Sequence, residues 1–269
     1  MFMNVNRHPA NAVVLAEGTP PDESDIGALM DIAGVQGYDA FHTSRARAFG
    51  PVRTQPERTY DPVKRIPDAA GQHIPLFLAQ ALGNTGKAAN EALSHALANF
   101  GQAAGLWSAL DVRRFGDDGD PFQLIVTIAK AKRNLIDVGY GVSQVLPIIV
   151  ELITAAPNST FLIQQPEVHL HPRAQAALAS LFARLAKERD IQIIVETHSD
   201  HFIDRVRMDV RDGKALSPDE VSLLYFELQK GASKIYPIRF DELGNVLDAP
   251  STYRQFFLKE EMRFLGFPD

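Results

Sequence analysis

The stretch from Asp137 to Ser199 decides the fold. Its three segments read Asp137-Val-Gly-Tyr-Gly-Val-Ser-Gln-Val145, Thr160-Phe-Leu-Ile-Gln-Gln-Pro-Glu-Val-His-Leu-His-Pro172 and Ile191-Gln-Ile-Ile-Val-Glu-Thr-His-Ser199. The second and third segments each begin with a short β-rich apolar run and end abruptly in polar residues. An amphipathic helical pattern of about sixteen residues separates these two runs. This order predicts a β-α-β crossover within an α/β sheet that is parallel or mixed and flanked by helices.

Polar residues follow both predicted strands at the point where each strand ends. In open α/β sheets, ligands bind beside the carboxyl ends of the strands. The residues at these two ends are therefore candidates for a functional site: Gln164, Gln165, Glu167, Thr197 and His198.

The composition is that of an ordinary globular protein. The chain has 269 residues, of which 45% are hydrophobic and 22% are charged, and its net charge of -6 argues against a protein that mainly coats nucleic acid. It has no cysteine, which excludes disulfides and thiolate zinc sites. No apolar run approaches the roughly 18 residues of a membrane span, and the first residues lack an apolar signal-peptide core. We expect a cytoplasmic chain without a membrane partner.

The pattern divides the chain into three regions. Residues 1–75 are poorly patterned and rich in proline, with short regular elements suggested only at 12–15 and 25–32. Residues 76–136 are helical and then strand-like, and residues 137–269 form the core lobe with the candidate motifs. The strands predicted in the last two regions are 110–115, 123–129, 134–138, 160–163, 191–195, 221–226 and 234–240, and the helices include 142–153, 172–188 and 253–264.

An arginine-bearing segment lies in the first region. It carries Arg45, Arg47, Arg53 and Arg58 among turn-forming residues. One interpretation is a solvated loop. The other is a loop packed near a phosphate site, because guanidinium groups bind phosphate in a bidentate manner.

The segment Gly83-Asn-Thr-Gly-Lys-Ala88 superficially suggests a phosphate-binding P-loop. A P-loop requires a glycine, four further residues and then Gly-Lys-Ser/Thr. Here Ala81 occupies the position of the first glycine, and Ala88 replaces the hydroxyl residue. No predicted strand precedes the segment, so a turn between two helices is the better interpretation. The sequence contains no Walker A motif.

The central stretch resembles the C-terminal half of an ABC-type ATPase of the AAA-15/AAA-21 and overcoming-lysogenisation-defect groups. Gly139-Tyr-Gly-Val-Ser-Gln144 resembles the signature motif of that family, and Thr160–Pro172 resembles its Walker B strand. Glu196-Thr-His-Ser199 resembles its switch-histidine segment. The order and spacing of all three motifs agree over roughly 65 residues. The resemblance implies a partial P-loop NTPase fold of the ABC-ATPase head type.

The resemblance also implies a composite site for ATP and Mg²⁺, in which two heads enclose the nucleotide. The signature motif would place Gly139, Gly141, Ser143 and Gln144 against the nucleotide, because a glycine-rich turn that opens a helix presents free N–H groups to an anion. The usual signature serine aligns with Gly139, so Ser143 would substitute from one turn further on. The alternative is a helix start that merely needs a tight turn.

The Walker B strand departs from the family pattern at both of its terminal carboxylates. Gln164 aligns with the carboxylate that orders Mg²⁺, and Gln165 aligns with the one that orients the attacking water. An amide binds a hard cation more weakly and is not a general base. Glu167 is the nearest carboxylate and is a candidate to compensate. One interpretation of these two amides is slow ATP hydrolysis, and the other is ATP binding without hydrolysis.

Histidines flank these motifs. In the family register His198 would contact the γ-phosphate and sense its loss. An alternative is a metal cluster formed by His169, His171, His198 and His201, although His-x-His on a loop is a weak signal. A helix-capping role for His171 before Pro172 is favoured over that cluster.

Because the sequence lacks a Walker A motif, we expect its activity to depend on a partner. We expect an ATPase lobe that requires a Walker A-bearing lobe or a homologous head, acting in DNA transactions or phage defence with DNA or an effector nuclease as a further partner. The alternative is a non-catalytic regulatory protein, or a fragment, that offers only its signature face.

Overall fold

A mixed sheet forms the centre of the molecule. The computed structural model describes residues 2–5, 46–83, 88–117 and 119–266. Its strands are, in chain order, β1 (Phe2–Val5), β2 (Ala46–Phe49), β3 (Ala109–Arg114), β4 (Phe122–Ile128), β5 (Ala131–Asn134), β6 (Thr160–Gln164), β7 (Gln192–Glu196), β8 (Val221–Gln229), β9 (Ala232–Phe240) and β10 (Val246–Leu247).

Seven of these strands form the main sheet in the order β10-β9-β8-β1-β7-β6-β2. Strands β2, β6 and β7 run parallel to one another. Strand β1 is antiparallel to both of its neighbours, β7 and β8, which are therefore parallel to each other. A single antiparallel strand of four residues thus interrupts an otherwise parallel group.

A second, three-stranded antiparallel sheet has the order β3-β4-β5. An isolated β-bridge between Tyr60 and Phe122 joins this sheet to the segment that follows β2. The rings of these two residues stack with their centroids 5.6 Å apart. Both of these aromatic residues are buried. The predicted strand at 134–138 is wrong beyond Asn134, because Leu135–Asp137 form a 3₁₀ turn that is capped by the Asn134 side chain.

The helices are α1 (Ile74–Gly83), α2 (Ala88–Ala104), α3 (Tyr140–Ile153), α4 (Pro172–Arg189), α5 (Asp200–Arg211) and α6 (Gln255–Phe264). Every residue of α3 after Tyr140 is buried, which is the pattern of a helix enclosed on all sides. Pro147 lies inside α3, about midway along the helix.

Helix α4 is the crossover between β6 and β7, as predicted. Its buried face includes Leu178 and Phe182, both with 0% exposure, and burial of each such side chain is worth about 1.5–3 kcal/mol. The helix begins at His171, whose Nδ1 accepts a hydrogen bond from the Ala174 N–H over 3.4 Å. The predicted capping role of His171 is confirmed.

The poorly patterned region 1–75 supplies two strands, β1 and β2, to the main sheet. The division of the chain at residues 75 and 136 stays a prediction. The short elements suggested at 12–15 and 25–32, and Arg45, lie outside the described residues. The predicted turn at 83–88 has its two flanking helices in place, with its residues 84–87 also outside the described part of the chain.

Candidate functional site

Three parallel strands end at one edge of the main sheet. Strand β2 ends at Phe49, β6 at Gln164 and β7 at Glu196, and Gln164 is the direct register partner of Glu196. The polar residues predicted from the sequence therefore lie together at this edge. Gln164 and the side chain of His198 are exposed there, whereas Thr197 is completely buried.

The loop after β6 is bent by two residues with left-handed backbone conformations. Gln165 has φ of 43° and His169 has φ of 68°, both rare for residues other than glycine. Gln165 still continues the sheet, because its N–H donates to the Glu196 carbonyl over 2.8 Å. Residues held in such sparsely populated conformations cluster at functional sites, so the loop after β6 is a candidate part of the functional site.

The start of α3 packs against that loop. The rings of Tyr140 and His169 meet edge to face with centroids 4.8 Å apart. A Cβ at Gly141 would lie 2.4 Å from the His169 carbonyl oxygen, whereas a Cβ at Gly139 would meet nothing within 4 Å. Gly141 is therefore required by the close approach of the two backbones. Gly139 is exposed at the beginning of the helix and no side chain caps it.

Ser143 and Gln144 do not face this edge as free donors. Ser143 is buried and its hydroxyl donates to the Tyr140 carbonyl over 2.8 Å. Gln144 has 1% exposure, and its amide accepts from the Arg53 N–H and donates to the Thr54 carbonyl. In the described conformation these two side chains form hydrogen bonds within the protein. That they bind the nucleotide stays a prediction; in this conformation, burial and internal hydrogen bonds occupy the polar groups of both side chains.

Arg53 connects the segment after β2 to the same loop. Its guanidinium donates to the carbonyls of Gly50, Gln164 and Gln165 at 3.1, 3.5 and 3.4 Å, and only 2% of the residue is exposed. Burial lowers the pKa of Arg53 to about 10, and the nearby carboxylate of Glu167 opposes that shift. Neither interpretation of the arginine-bearing segment describes this role. The described members Arg47 and Arg58 form ion pairs with Glu151 and Asp137.

Glu167 joins the two loops at the edge. Its Oε1 accepts a hydrogen bond from the His198 N–H over 2.7 Å, and the residue is 8% exposed. Its Oε2 is buried and has no hydrogen-bond partner among the residues that the structure describes. The carboxylate is therefore directed into the protein. Ser199 extends the connection, because its hydroxyl donates to Gln175 over 2.6 Å and caps α5.

Glu196 belongs to the switch-histidine segment but is not among the site residues that the sequence predicts. Its Oε2 accepts a hydrogen bond from the Gln164 Nε2 over 3.2 Å, and the residue is half-buried. The missed signal was its position. It is the last residue of β7, and strand ends at a parallel edge come together.

The histidines of the alternative metal cluster have separate roles. His171 caps α4, His169 packs on Tyr140, and His198 is held through its backbone. Within residues 46–83, 88–117 and 119–266, no group of three or more histidine, aspartate or glutamate residues is arranged to hold a metal ion.

Two cavities lie away from this edge. One of about 470 Å³ lies on the three-stranded sheet and is lined by Arg58, Arg113 and Arg133 among others. Another of about 460 Å³ lies beside β2, with His73 and Glu151 in its lining. Neither contains Gln164, Glu196 or His198. In the described part of the chain, none of the helices is long and apolar enough to cross a membrane.

Comparison with known protein families matches residues 66–204 to the model described as "AAA domain, putative AbiEii toxin, Type IV TA system". This match spans just over half of the chain and includes all three predicted motifs. The chain belongs to this AAA family. The match confirms the predicted AAA family, and the mixed sheet flanked by helices confirms the predicted α/β class.

The solved structures that match include three of SMC ATPases or their head domains, all at low identity. One, from work titled "Structural biochemistry of ATP-driven dimerization and DNA stimulated activation of SMC ATPases", is 13% identical with a TM-score of 0.41, covering 70% of this chain and 96% of that one. The Smc head domain of Pyrococcus furiosus, with an extended coiled coil and bound to the C-terminal domain of ScpA, is 14% identical with a TM-score of 0.40, covering 65% and 38%. The SMC head domain from Thermotoga maritima is 12% identical with a TM-score of 0.35, covering 60% and 51%. A comparison with curated proteins found no match.

Proposed function

We propose that this AAA family member is an ATPase lobe that binds ATP and Mg²⁺ in a composite site completed by a partner. The observation that carries the proposal is the direct contact among the three predicted motifs. Tyr140 packs on His169, and Glu167 of the same loop holds the backbone of His198. A helix start, a polar strand end and an exposed imidazole thus converge at the edge where α/β proteins bind ligands.

The direction of β1 supports the proposal that a partner supplies the P-loop. A P-loop follows a strand and opens a helix, so it requires a parallel strand that ends at the site. Strand β1 fills the place beside β7 but runs antiparallel to it, so Val5, its last residue, lies at the opposite edge. Among the described residues, no strand end at the site is followed by a P-loop sequence.

The residues present fit a nucleotide in part. The uncapped start of α3 at Gly139 offers backbone N–H groups and the positive end of a helix dipole to a phosphate. His198 is exposed at the same edge, and we propose that its ring donates a hydrogen bond to this phosphate. A bound Mg²⁺ would neutralise phosphate charge. The predicted metal position, Gln164, contributes an amide and no charge.

Hydrolysis by this lobe is expected to be slow. Gln165 has no basic group, and the Glu167 carboxylate that was predicted to compensate already accepts the His198 N–H inside the protein. This arrangement favours a second candidate, a non-catalytic regulatory lobe that presents its signature face to an active head. The two candidates differ in whether the complex releases phosphate. Positioning and electrostatics dominate phosphoryl transfer, so the lack of a base does not by itself exclude turnover.

The wider setting that we propose is phage defence or DNA transactions, with DNA or an effector nuclease acting beyond the ATPase complex. The description of the matching family, which names a toxin and a toxin–antitoxin system, supports a defence role. The net charge of -6 favours a protein partner over extensive nucleic-acid contact by this chain.

The deciding experiment measures ATP binding and phosphate release by the chain alone and with the product of the adjacent upstream reading frame. We expect binding only in the mixture. A His198→Ala variant, whose exposed ring contributes little to the fold, should bind the partner normally and slow phosphate release. Tight ATP binding by the chain alone would contradict a partner-supplied P-loop. Binding without phosphate release would establish the regulatory candidate.

A further inference from the structure

We propose that Glu196 supplies the carboxylate that the end of β6 lacks, and that it holds the divalent cation that accompanies the nucleotide. The proposal rests on the proposed function, since it assigns a residue to the cation of the same site. Glu196 lies on the neighbouring strand, β7. It is not one of the predicted Walker B or signature residues.

The position of Glu196 is fixed by the sheet. It is paired in register with Gln164, and the two strands are parallel, so both side chains leave the sheet at the same edge. Neighbouring strands lie about 4.8 Å apart, a gap that a glutamate side chain spans. The contact of 3.2 Å between Gln164 Nε2 and Glu196 Oε2 shows that the carboxylate reaches the end of β6.

The chemistry of the pair suits a hard cation. Magnesium is bound in phosphate-handling sites through one or two carboxylates together with the substrate phosphates. Because Gln164 donates to Glu196 through its nitrogen, its amide oxygen is left as a neutral ligand. Glu196 and Gln164 together therefore provide one negative charge and a second oxygen ligand. The usual arrangement, with two carboxylates on one strand, is replaced by ligands from two adjacent strands.

The other carboxylates near this edge are already used. Glu167 is buried and accepts the His198 N–H. Asp200, in the first turn of α5, accepts from the Arg254 guanidinium over 2.8 Å and forms an ion pair with it. The carboxylate of Glu196 is half-buried and accepts a hydrogen bond from the neutral amide of Gln164.

The test uses Mn²⁺·ATP as the probe on the complex with the Walker A-bearing partner. Binding of ATP is measured with Mn²⁺ and with EDTA, and bound Mn²⁺ is followed by electron paramagnetic resonance. Glu196→Gln should weaken Mn²⁺·ATP binding by about tenfold or more and leave metal-free ATP binding unchanged. The matched control is Glu227→Gln on β8, since Glu227 also accepts from a glutamine amide, at 2.7 Å from Gln229 Nε2, and lies away from the site.

A second variant tests the position of the charge directly. Gln164→Asp in the Glu196→Gln background returns one carboxylate to the end of β6 and should restore Mn²⁺·ATP binding. Unchanged Mn²⁺·ATP affinity in Glu196→Gln would overturn the assignment and leave the proposed function standing. Equal losses with Mn²⁺ and with EDTA would also overturn it, because the residue would then act on the fold. Absence of ATP binding in the unmodified complex would overturn both proposals.

Discussion

The carboxylate oxygen Oε1 of Glu167 lies 2.7 Å from the backbone nitrogen of His198, so one buried hydrogen bond joins the loop after β6 to the loop after β7. The contact holds the backbone of His198, an exposed residue, in place. It also gives Glu167 a positioning role, while its predicted role in catalysis stays a prediction.

Replacing Glu167 with alanine should therefore destabilise the protein. The change leaves the His198 N–H unpaired and removes the negative charge beside the buried Arg53. We expect the free energy of unfolding to fall by about 2–3 kcal/mol, as for a buried hydrogen bond to a charged acceptor. Urea denaturation measures the loss. Glu167→Gln keeps an acceptor and should lose less than half as much; equal losses would argue against the hydrogen bond.

The two glycines of the predicted signature motif should respond differently to alanine. Gly141→Ala places a Cβ 2.4 Å from the His169 carbonyl oxygen, a backbone atom that moves only with its loop. We expect a loss of about 1–3 kcal/mol in the free energy of unfolding, measured by thermal or urea denaturation. Gly139→Ala meets no atom within 4 Å and should cost less than about 1 kcal/mol. Equal effects at the two positions would refute the packing of α3 on this loop.

Returning a carboxylate to the end of β6 should increase hydrolysis in the partner complex. Gln165→Glu keeps the size of the side chain and adds a group able to accept a proton. A positioned general base contributes about 100-fold or more, so phosphate release should rise by that order. Gln192→Glu, at the opposite end of the parallel neighbour β7, is the matched control and should leave the rate unchanged. A rate unaltered by Gln165→Glu would mean that Gln165 does not face the attacking water.

A pH dependence is expected from a pair outside the site. His73 lies 2.6 Å from Glu151 through its Nε2, and burial is the largest cause that lowers the pKa of His73 below its usual 6.5. As pH falls, the unfolded chain binds this proton first, so stability is complete above pH 6.5 and is lost as pH falls through the lower folded pKa. The unfolding free energy, measured from pH 8 to 5.5, should decline more steeply for the unmodified protein than for His73→Gln. Parallel curves would contradict the shift.

The sequence predicted the β6-α4-β7 unit to within one residue at each end, because two apolar strands and an amphipathic helix between them are strong local signals. It did not predict β1. Four residues carry almost no pattern, and Phe2–Val5 are a strand only because β7 and β8 pair with them. The prediction of 134–138 as a strand failed because Asn134 caps a turn with its own side chain.

The sequence predicted which polar residues lie together, because polar residues at two strand ends are visible in a sequence. Gln164 and His198 are both exposed at the predicted edge, and their roles stay predictions. The direction of a side chain is not visible, and Ser143, Gln144 and Glu167 face into the protein because of the packing of α3 and the bend at Gln165. The contacts of Arg53 and Glu196 join segments that are far apart in the chain, so the sequence alone does not reveal them.

The reversed direction of β1 has a practical consequence for labelling. Phe2 is the register partner of Glu196, so its backbone lies at the edge that carries Gln164 and His198. A fluorophore attached at position 2 would report on occupancy of that edge, whereas a bulky group attached there would compete with a ligand. The exposed hairpin turn at Lys230 and Gly231, between β8 and β9, offers a remote attachment point for immobilisation.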